Sequence, residues 1–138
     1  VPRTVPACTL RGAGPDASVG LVRKAARQER RARLREAVER IRAILPAKAA
    51  ALRIHRAILF GSAARGEIDG RGDIDLLVVQ ETDLPFVRRG VDVVTALGVS
   101  VGVDVLVYTP EEWATVQESS RFVRRAVREG VLIHASDG

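Results

Sequence analysis

Aromatic residues are scarce in this 138-residue chain: one Trp, one Tyr and three Phe, 4% of the total, against 46% hydrophobic residues. The core must therefore be built from Val, Leu, Ile and Ala. The single Cys8 excludes an internal disulfide framework, and with His55 and His134 it makes no metal-ligand spacing. Both histidines read as structural or surface residues. No apolar run approaches the ~20 residues of a membrane span. No signal-peptide pattern is present, so a cytoplasmic protein without membrane attachment is expected. Methionine is absent even from position 1, as expected of a non-standard start codon written as Val or of a trimmed chain.

The net charge of +5 conceals an asymmetry. Residues 1–56 hold 14 Lys and Arg against 4 Asp and Glu, a balance of +10, whereas residues 57–138 hold 8 against 13, a balance of −5. An acidic half suits a cation site. Residues 1–19, with Pro2, Pro6, Gly12, Gly14 and Pro15, read as a flexible tail. Residues 20–138 then form one domain of ordinary size. Within it, 20–46 is a basic amphipathic helix in which Leu34, Val38, Ile41 and Leu45 recur at spacings of four, three and four. Pro46 closes or kinks it. No aromatic residue interleaves with its arginines, so stacking on single-stranded nucleic acid is not expected there. A solvated face is the plainer reading.

The remainder, 54–134, alternates strands and helices. Strands are expected near Ile54–Phe60, Asp73–Val79, Val101–Tyr108 and Val131–His134. A short helix is expected after Ser62. Another, opening near Asp83 and Pro85, should place Val87, Val91, Val94 and Leu97 on its inner face, carry Gly90 inside it at a cost of roughly 1 kcal/mol, and close at Gly98. Thr109-Pro110-Glu111-Glu112 opens a third with a Thr cap and Pro at the first position. Phe122, Val123 and Val127 mark a last helix ending at Gly130. The order α–β–α–β–α–β–α–β predicts an α/β layer, a mixed β-sheet packed with helices.

Residues 60–79 carry the chemistry. An apolar run, Ala57-Ile58-Leu59-Phe60, breaks at Gly61-Ser62, and Asp73-Ile74-Asp75 leads into Leu76-Leu77-Val78-Val79. Alternate strand side chains share a face, so Asp73 and Asp75 point the same way. At ~4 Å and an effective dielectric of ~20 their repulsion costs about 4 kcal/mol. A cation relieves it. Gly61-Ser62, ending a strand and opening a helix, makes an anion cradle in which a small residue lets phosphate approach the backbone. Asp104, between Val103 and Val105, supplies a third acid, one that needs a partner if buried. Carboxylates beside a phosphate cradle point to metal-assisted phosphoryl or nucleotidyl transfer.

GSAARG, then DIDLLVV, then VDVLVYTPEEW make this chain similar to the minimal nucleotidyltransferases of the DNA polymerase β-type superfamily, over roughly residues 35 to 134. Gly72 departs from the family's usual Ser or Asp before the first acid. The resemblance implies a single-domain polymerase-β-like fold. It also implies Mg²⁺-dependent transfer of a nucleoside monophosphate from ATP or another triphosphate to an acceptor hydroxyl. Asp73, Asp75 and Asp104 would be catalytic residues and ligands of two Mg²⁺ ions, and Gly61, Ser62 and Arg65 would bind triphosphate. Arg65 reads equally as an anchor of the loop to a strand acid, and Asp73 and Asp75 could instead pair with Arg65 or Arg71. Tyr108 and Trp113 border either a nucleotide pocket or the core. Many such modules are antitoxin-like halves of two-gene systems that add AMP to a tyrosine of a helical HEPN protein. Aminoglycoside-type transfer is the alternative, though little chain follows Asp104 to build an antibiotic pocket. A non-catalytic module binding a partner or RNA is the rival of another class, with nucleic acid the less favoured partner.

Overall fold

A computed structural model describes residues 15–66 and 74–136. Helix α1 spans Pro15–Lys48, 34 residues and so about 51 Å of axis. Leu34, Val38, Ile41 and Leu45 are all buried, as their spacing requires. Ahead of Leu34 the helix leaves the domain: Val19, Leu21 and Val22 are exposed, as are Arg23, Arg27 and Arg30. Those three arginines continue the apolar stripe backwards at the same spacing, with guanidinium groups where the core would need side chains of Leu or Ile. The helix starts at Pro15, inside the stretch expected as tail; residues 1–14, Cys8 among them, lie outside those described. It also runs two residues past Pro46. A proline so near the C-terminal end forfeits a single late hydrogen bond, and the helix survives it. Among the described residues no helix is long and apolar enough to cross a membrane.

A tight turn, with Arg53 at φ 59° and Ile54 N donating to Ala49 O at 2.8 Å, sends the chain into the sheet. The strands are β1 (Ile54–Phe60), β2 (Ile74–Gln80), β3 (Val103–Tyr108) and β4 (Val131–Ala135), in the order β3-β2-β1-β4. β1 pairs antiparallel with β2 and β4, while β2 and β3 run parallel. The sheet is mixed, and its single parallel pair requires the crossover that residues 81–102 provide. The expected second catalytic strand began at Asp73; the described part begins at Ile74, and Asp73, with Arg71 and Gly72, lies outside the described residues.

The crossover departs from expectation. A 3-10 turn, Phe86–Arg88, precedes helix α2, Val91–Leu97, and Gly90 separates the two at φ 91°. Gly90 therefore breaks the helix rather than sitting inside it. A Cβ there would stand 3.3 Å from Val105 Cβ, so the left-handed break lets the chain lie close on β3. The break also resets the inner face: Val93 and Leu97 are buried, whereas Val87, Val91 and Val94 are exposed. Arg40 of α1 donates to Leu97 O at 2.7 Å and so ties the end of α2 to the long helix.

α1 and α2 cover one face of the sheet, packing on Leu59, Ile74, Leu76, Val78 and Val107. The other face carries α3 (Pro110–Ser119) and α4 (Arg121–Glu129). There Ile58 and Leu77 meet Val123 and Ala126, with Phe60, Tyr108, Trp113 and Val116 around them. α3 opens with the expected cap, reciprocal in form: Thr109 Oγ1 accepts from Glu112 N at 3.1 Å and Glu112 Oε1 from Thr109 N at 2.9 Å.

Candidate active site

Strand register assembles the site. Asp75 lies opposite Phe60 of β1 on one side and Asp104 of β3 on the other. Residues directly opposite share a face, so Phe60, Asp75 and Asp104 stand in a row across three strands, on the side that α3 and α4 cover. Adjacent strands lie ~4.8 Å apart, which brings the two carboxylates within one ion's reach. Asp75 is half-buried. Asp104 is exposed. Among the described residues β3 is an edge strand, and an exposed carboxylate there needs no partner of the kind that burial would demand.

Gly61 closes the row from behind. Its φ is 76°, and a Cβ built on it would lie 2.6 Å from Asp75 Oδ2. The Asp75 carboxylate thus rests against a bare Cα, and any side chain at 61 would displace it. Beyond Gly61 the expected helix does not form. Residues 61–66 make overlapping turns instead, with Ala64 N donating to Gly61 O at 3.2 Å, Arg65 N to Ser62 O at 3.2 Å and Gly66 N to Ala63 O at 3.3 Å. Gly66 ends them at φ 75°. A segment bracketed by two left-handed glycines is too short to outweigh the cost of nucleating a helix. Ser62 and Arg65 ride on this turn, both half-buried or more exposed.

A cleft of about 320 Å³ opens beside Gly61, walled by Phe60, Arg65, Phe122, Arg125 and Glu129. Arg125 Nε donates to Glu129 Oε2 at 2.9 Å, and this bond, with the nearby charges of Arg125, Arg128 and Arg65, holds the Glu129 carboxyl below its ordinary range. Phe122 and Arg125 are not singled out by the sequence, in which Phe122 with Val123 and Val127 marks only the last helix. The described Tyr108 and Trp113 stand elsewhere. Tyr108 lies four residues along β3 from Asp104, about 13 Å away. It packs 5.8 Å from the Phe86 ring and 6.4 Å from Trp113, beside a second cleft of about 530 Å³ lined also by Glu111 and Thr115. Trp113 packs against the cluster of Ile58 and Leu77. His55 bonds Glu81 at 2.8 Å, and His134 sits opposite Ala57 on β4.

Among the described residues no three of His, Cys, Asp and Glu gather into a metal-holding group. Asp75 and Asp104 form a pair on neighbouring strands, with Asp73 outside the described residues. Two hard carboxylates, one seated against the bare Cα of Gly61, fit a Mg²⁺ ion that takes its remaining ligands from water and phosphate oxygens.

Residues 34–133 match the nucleotidyltransferase domain family. The chain is also similar to the "Putative protein adenylyltransferase" of Methanocaldococcus jannaschii, 34% identical over 83 residues that cover 59% of this chain and 80% of that protein. The matched span begins at Leu34, the first residue of α1 that is buried among those whose burial is described.

Proposed function

This chain belongs to the nucleotidyltransferase domain family, and on that premise we propose that it moves AMP from ATP to a hydroxyl of a partner protein. The observation that carries this reading is the register of Asp75 with Asp104, with Gly61 packed bare against the Asp75 carboxylate. The acceptor oxygen attacks the α-phosphorus, the bond to the β-phosphate breaks, and pyrophosphate leaves with the bonding electrons. Asp104, the open member of the pair, accepts the hydroxyl proton. The Gly61–Ser62 backbone and the Ser62 hydroxyl bind the triphosphate, and Arg65, on the cleft wall, offsets its charge. Asp73, Asp75 and Asp104 would hold Mg²⁺, two ions in all, with Asp73 assigned from the sequence alone. When bound, the metal neutralises phosphate charge and acidifies the hydroxyl. Positioning and charge neutralisation supply most of the rate.

A protein acceptor is supported by the relative's name. The arginine-rich face of α1, exposed ahead of Leu34, gives such a partner a docking and steering surface. The partner in this reading is a HEPN-type helical protein encoded by the neighbouring gene, and the chain is the antitoxin half of the pair. Incubation with labelled ATP, Mg²⁺ and that neighbour should place label on a tyrosine hydroxyl, and Asp75→Asn should abolish it. Label on an aminoglycoside, with the neighbour untouched, would overturn the protein-acceptor reading.

A further inference from the structure

Helix α4 has two working sides. Val123 and Ala126 are buried against the sheet. Phe122, Arg125 and Glu129, spaced three and four apart, share another face and line the cleft beside Gly61. Phe122 gives nothing essential to the core: it is 51% exposed. Its ring stands 5.4 Å from that of Phe60 at an interplanar angle of 86°. Two rings at right angles make a corner with one apolar face left open. Leaving that face in water is unfavourable, and in a chain with only three phenylalanines two of them meet here.

Phe60 also fixes where the corner lies. It is the residue opposite Asp75 and the one immediately before Gly61. The corner therefore lies in the cleft beside Gly61 and Arg65, one strand position across from Asp75. Besides Arg65, the cleft wall offers a second guanidinium, Arg125, and an ionised acceptor, Glu129, held together at 2.9 Å. An aromatic face flanked by a donor and an acceptor is the complement of a nucleobase, which stacks through its π-face and bonds through its edge. The cleft volume, about 320 Å³, lies at the small end of ligand pockets and holds a base without its phosphates.

We propose that the Phe60–Phe122 corner is the nucleobase subsite, with Phe122 as the stacking platform and Arg125 and Glu129 reading the edge of the base. This rests on the reading that the triphosphate lies on the Gly61–Arg65 turn. Phe122 touches the nucleoside and takes no part in the reacting bonds. Its removal weakens nucleotide binding and leaves phosphate binding intact.

The test is calorimetric binding of ATP and of inorganic tripolyphosphate, each with Mg²⁺. The wild-type protein should bind ATP more tightly than tripolyphosphate. Phe122→Ala should weaken ATP about tenfold, about 1.4 kcal/mol, while changing tripolyphosphate affinity by less than about twofold. Phe122→Trp should keep ATP affinity, and Phe122→Leu, which keeps apolar bulk against Phe60 but has no ring, should lose it as Ala does. Equal losses for both ligands, or no loss for ATP, overturns the subsite. A wild-type protein that binds tripolyphosphate as tightly as ATP removes the base contact and leaves the phosphate site standing. One that binds neither removes the nucleotidyl-transfer reading and this proposal with it.

Discussion

Replacing Gly61 by Ala combines two effects, and Gly66 separates them. Both glycines adopt a left-handed φ, 76° and 75°, where a Cβ costs roughly 1–2 kcal/mol. For a chain of this size each kcal/mol is worth about 3–6 °C of melting temperature, so each variant should melt roughly 3–12 °C lower. Only Gly61→Ala adds a collision. The new Cβ would stand 2.6 Å from Asp75 Oδ2, whereas at Gly66 it meets no described atom within 4 Å. Ordinary contact begins near 3.4 Å, so the carboxylate must retreat by roughly 0.8 Å, and a misplacement of about 1 Å costs on the order of 10²-fold in rate. Thermal melts followed by initial rates of AMP transfer, taken well below both transitions, read the two effects separately. Gly61→Ala should lose about two orders of magnitude in rate, Gly66→Ala no more than severalfold, with similar melting temperatures. Equal rates in the two variants would refute the idea that a bare Cα at 61 seats the Asp75 carboxylate.

Arg89, 9% exposed, donates to Leu84 O at 2.8 Å, to Val107 O at 3.2 Å and to Glu112 Oε1 at 2.6 Å. Arg89→Ala should cost about 2–3 kcal/mol in urea unfolding, and a change within ~0.5 kcal/mol would make those bonds incidental. The bond from Arg89, and after it the one from Thr109 N, holds the Glu112 carboxyl below its ordinary range. Its stabilising contribution is therefore present above its ordinary value of 4.5 and is lost as pH falls through the lowered folded value. The melting temperature should drop across that acidic window and drop less in Glu112→Gln; identical acid profiles for the two proteins would contradict the assignment.

Features that depend on neighbours in sequence were legible, and those that depend on strand pairing were not. Leu34, Val38, Ile41 and Leu45 repeat at helical spacing because one face of α1 meets the sheet, and all four are buried. Thr109 and Glu112 form their cap within one turn, with no tertiary information needed. The inner face of the crossover helix failed because Gly90 was counted as a helical residue, and close approach to Val105, invisible in sequence, made it a break. Asp75 and Asp104 could be named as acids, but their placement opposite one another follows from the parallel register of β2 and β3. The same holds for Phe122. Only the burial of Val123 and Ala126 shows that Phe122 faces away from the core.

The pairing of β4 with β1 sets an order of events at the ribosome. Residues 56–59 lie between two partners, and one of these, residues 131–135, is made long after the other. Until then α1, β1, β2 and β3 can assemble, but β1 presents an open row of backbone donors and acceptors, the kind of edge that recruits strands from other chains. Long-range pairing of this sort is slow and leaves the nascent protein open to aggregation in the interval. Asp75 and Asp104 sit on β2 and β3, both made before β4, so the two candidate carboxylates precede in synthesis the strand that completes the sheet.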